Sequence, residues 1–218
     1  MWQNADPDLP LLQEAQDADD AMRRRGPQLP LVGRVVVAAG CPTGIVTRYR
    51  ATPHYAARYT HHVDFATVKS VLAAFEREGV RYAIFGAAAL NLHGLARFTE
   101  DLDVFLEPMA DNIARLRRAL ASVFDDPSIE QITAEDLLGE YPAVQYVPPD
   151  GTFHLDLLTR LGQAFAFGDL EVVRTPFEDL TVSVVSPRTL YRMKRDTVRL
   201  KDKADAQLLK ERFHLEDP

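Results

Sequence analysis

The chain has 218 residues, a net charge of −7 and a single cysteine, Cys41. This length suits one sizeable domain with a small appendage, and one cysteine excludes both an intramolecular disulfide framework and a multi-cysteine metal site. The sequence contains no run of about eighteen apolar residues, and its acidic N-terminus lacks the features of a signal peptide, so we expect a cytoplasmic protein without a membrane span.

The first 62 residues differ in composition from the rest. They carry seven basic and six acidic residues, six prolines, and an arginine triplet at Arg23–Arg25. Leu11–Met22 is predicted to be a weak helix and Leu31–Ala39 a strand, and neither has an evident partner. We therefore predict that residues 1–62 form a poorly ordered extension, and one hypothesis is that the functional domain begins near Val63.

From Asp64 onward, helical and strand patterns alternate. Asp64 is a suitable N-cap for a helix with an apolar face, and Gly79 ends that helix. The predicted elements that follow are a strand at Arg81–Phe85, a helix at Ala87–His93, a strand at Asp101–Leu106, a helix at Asp111–Phe124 and a short helix after Thr133. The later ones are a hairpin of Ala143–Val147 with Thr152–Leu158, strands at Glu171–Arg174 and Leu180–Val185, and helices from Ser186 to about Val198 and from about Lys201 to Arg212.

This order predicts an α/β or α+β fold in which a mixed β-sheet is flanked by helices. We assign residues 63–185 to the core and residues 186–218 to a C-terminal helical appendage that packs on it. The core segment up to residue 180 is acidic, with nine basic against twenty acidic residues, whereas residues 181–218 carry nine basic and six acidic residues. The acidic middle repels a polyanion unless a metal ion or the basic C-terminal part intervenes.

Two carboxylates share one face of the predicted strand Asp101–Leu106. Because side chains alternate along a strand, Asp101 and Asp103 point one way while Leu102 and Val104 point the other. Side by side they repel each other unless a cation lies between them, and a divalent metal ion is the natural cation. The alternative is a pair of solvated residues on an edge strand.

Gly86 lies between a predicted strand and a predicted helix. Such a turn presents backbone N–H groups to a phosphate, and glycine permits close approach. A phosphate cradle beside two carboxylates is the arrangement expected for a metal-bound nucleoside triphosphate. The alternative for Gly86 is a tight turn without a ligand.

The glycine turn and the acidic strand together resemble a known sequence signature. Phe85-Gly86-Ala87, followed after thirteen residues by Asp101-Leu102-Asp103-Val104, resembles the signature of the DNA polymerase beta-like nucleotidyltransferase superfamily. Ala87 stands where that superfamily usually has glycine or serine, which leaves backbone donors without a hydroxyl. More narrowly, the segment from Gly86 through His93-Gly94 to Asp103 is similar to the minimal nucleotidyltransferases of the AbiEii toxin type.

The resemblance implies further site residues. A third carboxylate on a neighbouring strand is expected, and Asp156 in FHLDLLT is the candidate, as metal ligand or as base, with a buried ion pair as the alternative. The family's later lysine corresponds to Lys194, and its basic-Asp-x-x-Asp helix to the run containing Asp202 and Asp205, of which we favour Asp205 for the site. His154, two residues before Asp156, is predicted to be structural.

Two residues that precede the acidic strand are also candidates. Arg97 is predicted to lie near phosphate, with loop ordering as the alternative, and Thr99 either contributes to the nucleotide site or orders the start of the strand. The predicted nucleotide-binding residues are therefore Gly86, Ala87, Arg97, Thr99, Lys194 and Asp205, and the predicted metal ligands and catalytic residues are Asp101, Asp103 and Asp156.

The implied activity is transfer of a nucleoside monophosphate from an NTP to an acceptor, with Mg²⁺ or Mn²⁺ as cofactor. RNA, a protein and a small molecule are the open acceptor classes, and an antitoxin protein is the implied partner, since such chains serve in toxin–antitoxin or phage-defence pairs. Two rivals use the same residues: a binding module without catalysis and a metal-dependent phosphohydrolase.

Overall fold

The computed structural model describes residues 34–39, 46–47, 65–99, 101–140, 142–149 and 154–216. The strands are β1 (Arg34–Ala39), β2 (Val46–Thr47), β3 (Tyr82–Ile84), β4 (Asp101–Leu106), β5 (Ala143–Val147), β6 (His154–Leu158), β7 (Arg160–Leu161), β8 (Phe165–Ala166), β9 (Val172–Phe177) and β10 (Leu180–Val185). The helices are α1 (Phe65–Glu78), α2 (Gly86–Leu92), α3 (Ala110–Ala121), α4 (Ala134–Leu138), α5 (Pro187–Arg195) and α6 (Leu200–Phe213), with short 3-10 helices at Pro127–Gln131 and Phe167–Asp169.

Eight of the strands form one mixed sheet in the order β2-β1-β5-β6-β4-β3-β10-β9. The β4–β6 and β3–β10 pairs are parallel, and the other neighbours are antiparallel. The predicted mixed sheet flanked by helices is therefore confirmed, and the strand that carries the acidic pair lies near its centre.

The core explains why these segments take these forms. Helix α1 buries the apolar stripe that its sequence repeats every three to four residues, and α1 packs against α3. Strand β3 is buried on both faces, as its uninterrupted apolar sequence predicts, whereas β4 alternates between buried and partly exposed positions at its start. The partly exposed positions of β4 are those of Asp101 and Asp103.

The C-terminal helices begin where the sequence predicts. The Ser186 hydroxyl accepts a hydrogen bond from the Thr189 N–H at 3.2 Å, and Pro187 occupies the first turn of α5. Helix α5 ends at Arg195, three residues before the predicted end. Helices α5 and α6 pack on each other, and their buried apolar residues belong to the same core as the sheet.

The predicted strand at Leu31–Ala39 is found over its described residues as β1 (Arg34–Ala39), and it has a partner that the sequence did not reveal. Strand β1 pairs antiparallel with β5, with Arg34 opposite Val147. The sequence offers no signal for this pairing because the partner is more than a hundred residues away. The predicted helix at Leu11–Met22 lies outside the described residues, and the division of the chain at residues 62 and 185 remains a prediction.

Two smaller features were not predicted. Strands β7 and β8 form a separate two-stranded ribbon, and β9 runs to Phe177 rather than ending at Arg174. Among the described residues, no helix is long and apolar enough to cross a membrane.

Candidate active site

The central strands bring the predicted carboxylates together. Strands β4 and β6 are parallel neighbours, and their register places Asp103 opposite Asp156 and Asp101 opposite His154. Paired residues of parallel strands project to the same face, about 5 Å apart. Leu102, Val104, Leu155 and Leu157 line the buried face of the same two strands. The third carboxylate therefore lies beside the acidic pair, on the strand where the sequence predicts it.

Gly86 touches Asp103 directly. Gly86 begins α2 with a φ of +64°, and a Cβ added there would lie 1.8 Å from Asp103 Oδ2. The Ala87 N–H donates a hydrogen bond to the Asp103 carboxylate. No other residue type fits this position without displacing Asp103, because glycine alone leaves room and adopts this backbone conformation without strain. The Gly86 turn and strand β4 are therefore packed against each other at Asp103.

Asp103 is the most perturbed carboxylate of the site. Burial, followed by repulsion from Asp156 and Asp101, raises its pKa from 3.8 to about 7, although the charge of Lys194 and the Ala87 N–H oppose the shift. A carboxyl group in this condition binds a proton or a cation more strongly than a solvated one does. Perturbation by burial together with like charges is characteristic of functional sites.

Asp156 is held by a neighbour on the other side. Gln145 on β5 lies opposite Asp156 in the antiparallel register, and its Nε2 donates to Asp156 Oδ1 at 2.9 Å. Burial raises the pKa of Asp156, the Gln145 hydrogen bond opposes this shift, and repulsion from Asp101 adds to it. Gln145 thus orients one oxygen of Asp156 and leaves the other for a ligand. Nothing in the sequence identifies Gln145, since its role depends on strand register.

His154, which was predicted to be structural, lies next to Asp101. Its Nδ1 lies 3.2 Å from Asp101 Oδ1, on the same face as Asp103 and Asp156, so it belongs to the site. The signal was available in the sequence: His154 precedes Asp156 by two residues, and such residues share a face of a strand. Asp101 is partly solvated, with 45% of its side chain exposed.

Lys194 lies at the other side of the site, on α5. Its Nζ donates to Asp202 Oδ1 at 2.8 Å and to Asp205 Oδ2 at 2.9 Å. Burial lowers the pKa of Lys194, but the two carboxylates outweigh this effect and raise it, so the ammonium is charged. The same charge lowers the pKa of Asp103, which places Lys194 within electrostatic reach of the acidic strand.

Arg97 and Thr99 order the segment that leads into β4. Arg97 Nε lies 2.9 Å from Asp205 Oδ1, and the Arg97 backbone is held by both side-chain atoms of Asn91, at 2.6 and 2.8 Å. Thr99 Oγ1 donates to the Asp101 carbonyl and accepts from the Asp101 N–H. Thr99 therefore orders the start of the strand, the alternative that the sequence left open, and Asn91 is a contributor that the sequence did not reveal.

The three carboxylates are chemically suited to bind a divalent cation, but their side chains do not converge on one position. In the described part of the chain, no three His, Cys, Asp or Glu side chains converge closely enough to hold a metal ion. Each carboxylate instead turns to a neighbour: Asp101 to His154, Asp103 to Ala87 and Asp156 to Gln145. All three project from adjacent positions of two paired strands, so they share one face of the sheet. Oxygen-only donors are the set that Mg²⁺ prefers.

The sequence profile described as nucleotidyl transferase AbiEii toxin, type IV TA system, matches residues 56–208. The match covers well over half of the chain, including the acidic strands, the Gly86 turn, all of α5 and the first part of α6. The chain belongs to the AbiEii nucleotidyl transferase toxin family. It is accordingly a nucleotidyltransferase, and the predicted resemblance is confirmed.

Solved structures of other nucleotidyltransferases are similar in fold to this AbiEii-family chain. The lincosamide antibiotic adenylyltransferase LnuA, solved with lincomycin bound, is 15% identical, with 68% of this chain and 98% of that chain covered and a TM-score of 0.48. ANT(2″)-Ia in complex with adenylyl-2″-tobramycin is 12% identical, with 68% of this chain and 88% of that chain covered and a TM-score of 0.45. A nucleotidyltransferase-like protein from Thermotoga maritima is 10% identical, with 72% of this chain and 99% of that chain covered and a TM-score of 0.42. No curated protein sequence matches the chain. Similarities of this size assign neither substrate nor mechanism.

Gln145 provides a first test of the acidic face of this AbiEii-family protein. Replacing Gln145 with leucine removes the donor to Asp156 Oδ1, so the pKa of Asp156 is expected to rise further. If Asp156 takes part in the reaction, loss of this oriented hydrogen bond is expected to slow transfer by roughly tenfold. A carbon-detected NMR titration of the Asp156 carboxyl carbon, together with the transfer rate, measures both effects. Gln131→Leu, at an exposed residue outside the sheet, is the matched control, and equal effects of the two variants contradict the assignment.

Proposed function

We propose that this AbiEii-family nucleotidyltransferase moves a nucleoside monophosphate from an NTP to an acceptor hydroxyl or phosphate and releases pyrophosphate. The observation that carries the proposal is the arrangement of Asp101, Asp103 and Asp156 on one face of two paired strands, with the Gly86 turn against Asp103. Three mutually repelling carboxylates beside a glycine turn are costly to maintain unless a cation and a polyphosphate use them.

Asp101, Asp103 and Asp156 are the residues that would hold Mg²⁺, or Mn²⁺ in its place. The ion, when bound, neutralises the phosphate oxygens and orients the triphosphate for in-line displacement. The raised pKa values of Asp103 and Asp156 support this assignment, because a cation relieves the repulsion that burial intensifies. His154 would orient Asp101 and Gln145 would orient Asp156, as outer-shell partners commonly do for ligating carboxylates.

In the transfer step, an oxygen of the acceptor attacks the α-phosphorus while the bond from that phosphorus to the oxygen bridging to the β-phosphate breaks. The electrons of that bond leave with pyrophosphate. When the acceptor is a hydroxyl, its proton must be removed. If Asp156 acts as the base, its carboxylate would accept that proton. A pKa raised by burial makes Asp156 a stronger base than a solvated carboxylate.

Two cations, Lys194 and Arg97, are held together by Asp205. Lys194 and Arg97 would favour the negative phosphates, and the backbone N–H groups of Gly86 and Ala87 would donate to them once Asp103 turns toward a cation. Because Ala87 carries no hydroxyl, only its backbone contributes. Thr99 supports the site by ordering the start of β4.

The acceptor and the partner follow from the family rather than from the geometry. RNA, a protein and a small molecule remain the acceptor classes, and the toxin family supports an antitoxin protein as the physiological partner. We expect such a pair to act in the cytoplasm, where NTPs are abundant.

Incubation of the protein with α-labelled NTP, Mg²⁺ and total RNA or cell lysate tests the proposal. Label is expected to enter one acceptor fraction, and Asp103→Ala is expected to reduce transfer by roughly a thousandfold or more. Asp125→Ala, at an exposed carboxylate outside the site, is the matched control. Release of free phosphate without transfer would point to a hydrolase, and NTP that stays bound and unreacted would point to a binding module; either result contradicts the proposal.

A further inference from the structure

Asp205 is the most deeply buried carboxylate near the site. Its side chain has no exposed surface, and it lies between two cations. Asp205 Oδ2 accepts from Lys194 Nζ at 2.9 Å, and Asp205 Oδ1 lies 2.9 Å from Arg97 Nε. A side chain that is enclosed in this way does not face a nucleotide, so the predicted direct contact needs a different explanation.

The three charged residues come from separate parts of the chain. Arg97 belongs to the segment between α2 and β4, Lys194 to α5 and Asp205 to α6. Asn91 on α2 fixes the Arg97 backbone through two hydrogen bonds, which leaves the guanidinium as the freely placed part of that residue. Asp205 therefore joins the segment that enters the acidic strand to the helix that carries Lys194.

The contact with Arg97 is poorly suited to stabilisation alone. Arg97 Nε and Asp205 Oδ1 are both buried, and neither makes a well-directed hydrogen bond although the two atoms are close. A buried ion pair must offset the desolvation of both charges and does so only with good geometry and satisfied hydrogen bonds. An imperfect buried pair next to a catalytic centre indicates a role other than holding the helices together.

Lys194 shows what that role is. An ammonium group has three N–H donors, and Asp202 and Asp205 accept from two of them. Two fixed acceptors define the direction of the third donor. The charge of Lys194 acts on Asp103, so the ammonium group is within electrostatic reach of the acidic face. Asp202 is partly exposed and also accepts from Thr197, and it makes no contact with Arg97 among the described residues.

We propose that Asp205 is a positioning residue that holds Lys194 and Arg97 in fixed relation to each other, so that both cations face the polyphosphate of the NTP while Asp205 itself touches no nucleotide. This inference rests on the proposed function. It assigns the two carboxylates of α6 different tasks: Asp205 couples two cations from different elements, and Asp202 orients one of them.

Binding of a non-hydrolysable NTP analogue with Mg²⁺, measured by calorimetry, tests the proposal without any need for turnover. Asp205→Asn is expected to weaken binding by roughly tenfold or more, because both cations lose their shared anchor. Asp202→Asn is expected to weaken it by roughly two- to threefold, because Lys194 keeps Asp205. Glu211→Gln, exposed on the same helix, is the control for general effects on α6.

A double-mutant cycle separates positioning from a purely structural role. If Asp205 acts through Arg97, Arg97→Gln and Asp205→Asn are non-additive, and the double variant binds the analogue no more weakly than the weaker of the two single variants. Additive losses overturn the proposal. So does an unchanged affinity in a folded Asp205→Asn variant.

If Asp205→Asn does not fold, NMR of the lysine ammonium groups provides a second test. The chain has five lysines, so the ammonium signal of Lys194 can be assigned by its disappearance in Lys194→Arg. Arg97→Gln is expected to shift this signal, because Asp205 contacts both side chains. An unshifted signal overturns the proposal. Absence of analogue binding to the wild-type protein, with a shifted Lys194 signal, would instead contradict the proposed function.

Discussion

Replacing Asp103 with asparagine is expected to abolish transfer and, at the same time, to stabilise the metal-free protein above pH 7. Asparagine keeps the shape of the side chain and can still accept from the Ala87 N–H, but it removes a charge that burial, Asp156 and Asp101 all disfavour. The loss of activity is expected to reach roughly a thousandfold or more, as for removal of a group that holds a catalytic metal ion.

The stability effect depends on pH in a defined direction. Because the pKa of Asp103 is about 7 in the folded chain and 3.8 in the reference state, the folded protein binds the proton more tightly, so ionisation destabilises it progressively from about pH 4 to pH 7. A shift of this size corresponds to at most about 4 kcal/mol, and solvent access to the site reduces the expected effect to about 2 kcal/mol, or roughly 4–8 °C in Tm. The gain is expected at pH 8 and absent at pH 4.

Thermal melts in EDTA at these two pH values measure the effect. Asp101→Asn is the matched control: 45% of the Asp101 side chain is exposed to solvent, so this variant is expected to lose activity without a comparable gain in stability. Addition of Mg²⁺ to the wild-type protein at pH 8 is expected to recover part of the difference, since a cation offsets the repulsion among the carboxylates. Equal melting temperatures of wild-type and Asp103→Asn protein at pH 8 would show that burial of this charge is not costly.

Substitution of Gly86 with alanine is expected to eliminate activity while the protein stays folded. The added methyl group would lie 1.8 Å from Asp103 Oδ2 and 2.6 Å from its Cγ, so the carboxylate must turn away from the Ala87 N–H. The backbone at φ +64° adds about 1–2 kcal/mol of strain for a residue with a Cβ. In the proposed site, displacement of the Asp103 carboxylate by an ångström or more is expected to lower the transfer rate by roughly a hundredfold or more.

Gly94 is a closely matched control for this substitution. It also has a positive φ, of +81°, but a Cβ there meets no atom within 4 Å. Gly94→Ala should therefore carry the backbone strain alone, with a loss of about 1–2 kcal/mol and near-normal activity. Transfer rates and denaturant midpoints of the two variants, compared side by side, separate strain from the contact with Asp103. Similar activity in both variants would refute the assigned contact.

Much of the fold could be predicted from the sequence because local physics determines it. Strand β4 appears at the predicted limits, and α5 begins at Ser186-Pro187, where a capping side chain and a proline act within one turn. The pairing of β1 with β5 could not be predicted, because strand partners are chosen by burial across long stretches of chain. That β6 neighbours β4 was expected only from the family resemblance, and no local pattern indicates it. The two-residue spacing of His154 from Asp156 already puts both on one face of a strand, so the proximity of His154 to the acidic residues was accessible from the sequence.

By itself, the sequence determined the identity of the acidic strand. The alternation of Asp101 and Asp103 with apolar residues, together with Gly86, follows from backbone periodicity and from the absence of a side chain on glycine. Only the tertiary structure decided what surrounds that strand. Gln145, Asn91 and the burial of Asp205 between Arg97 and Lys194 depend on strand register and helix docking, which bring together residues that no local pattern connects. Short-range sterics are encoded residue by residue, whereas the electrostatics of a buried site exist only once the chain has folded.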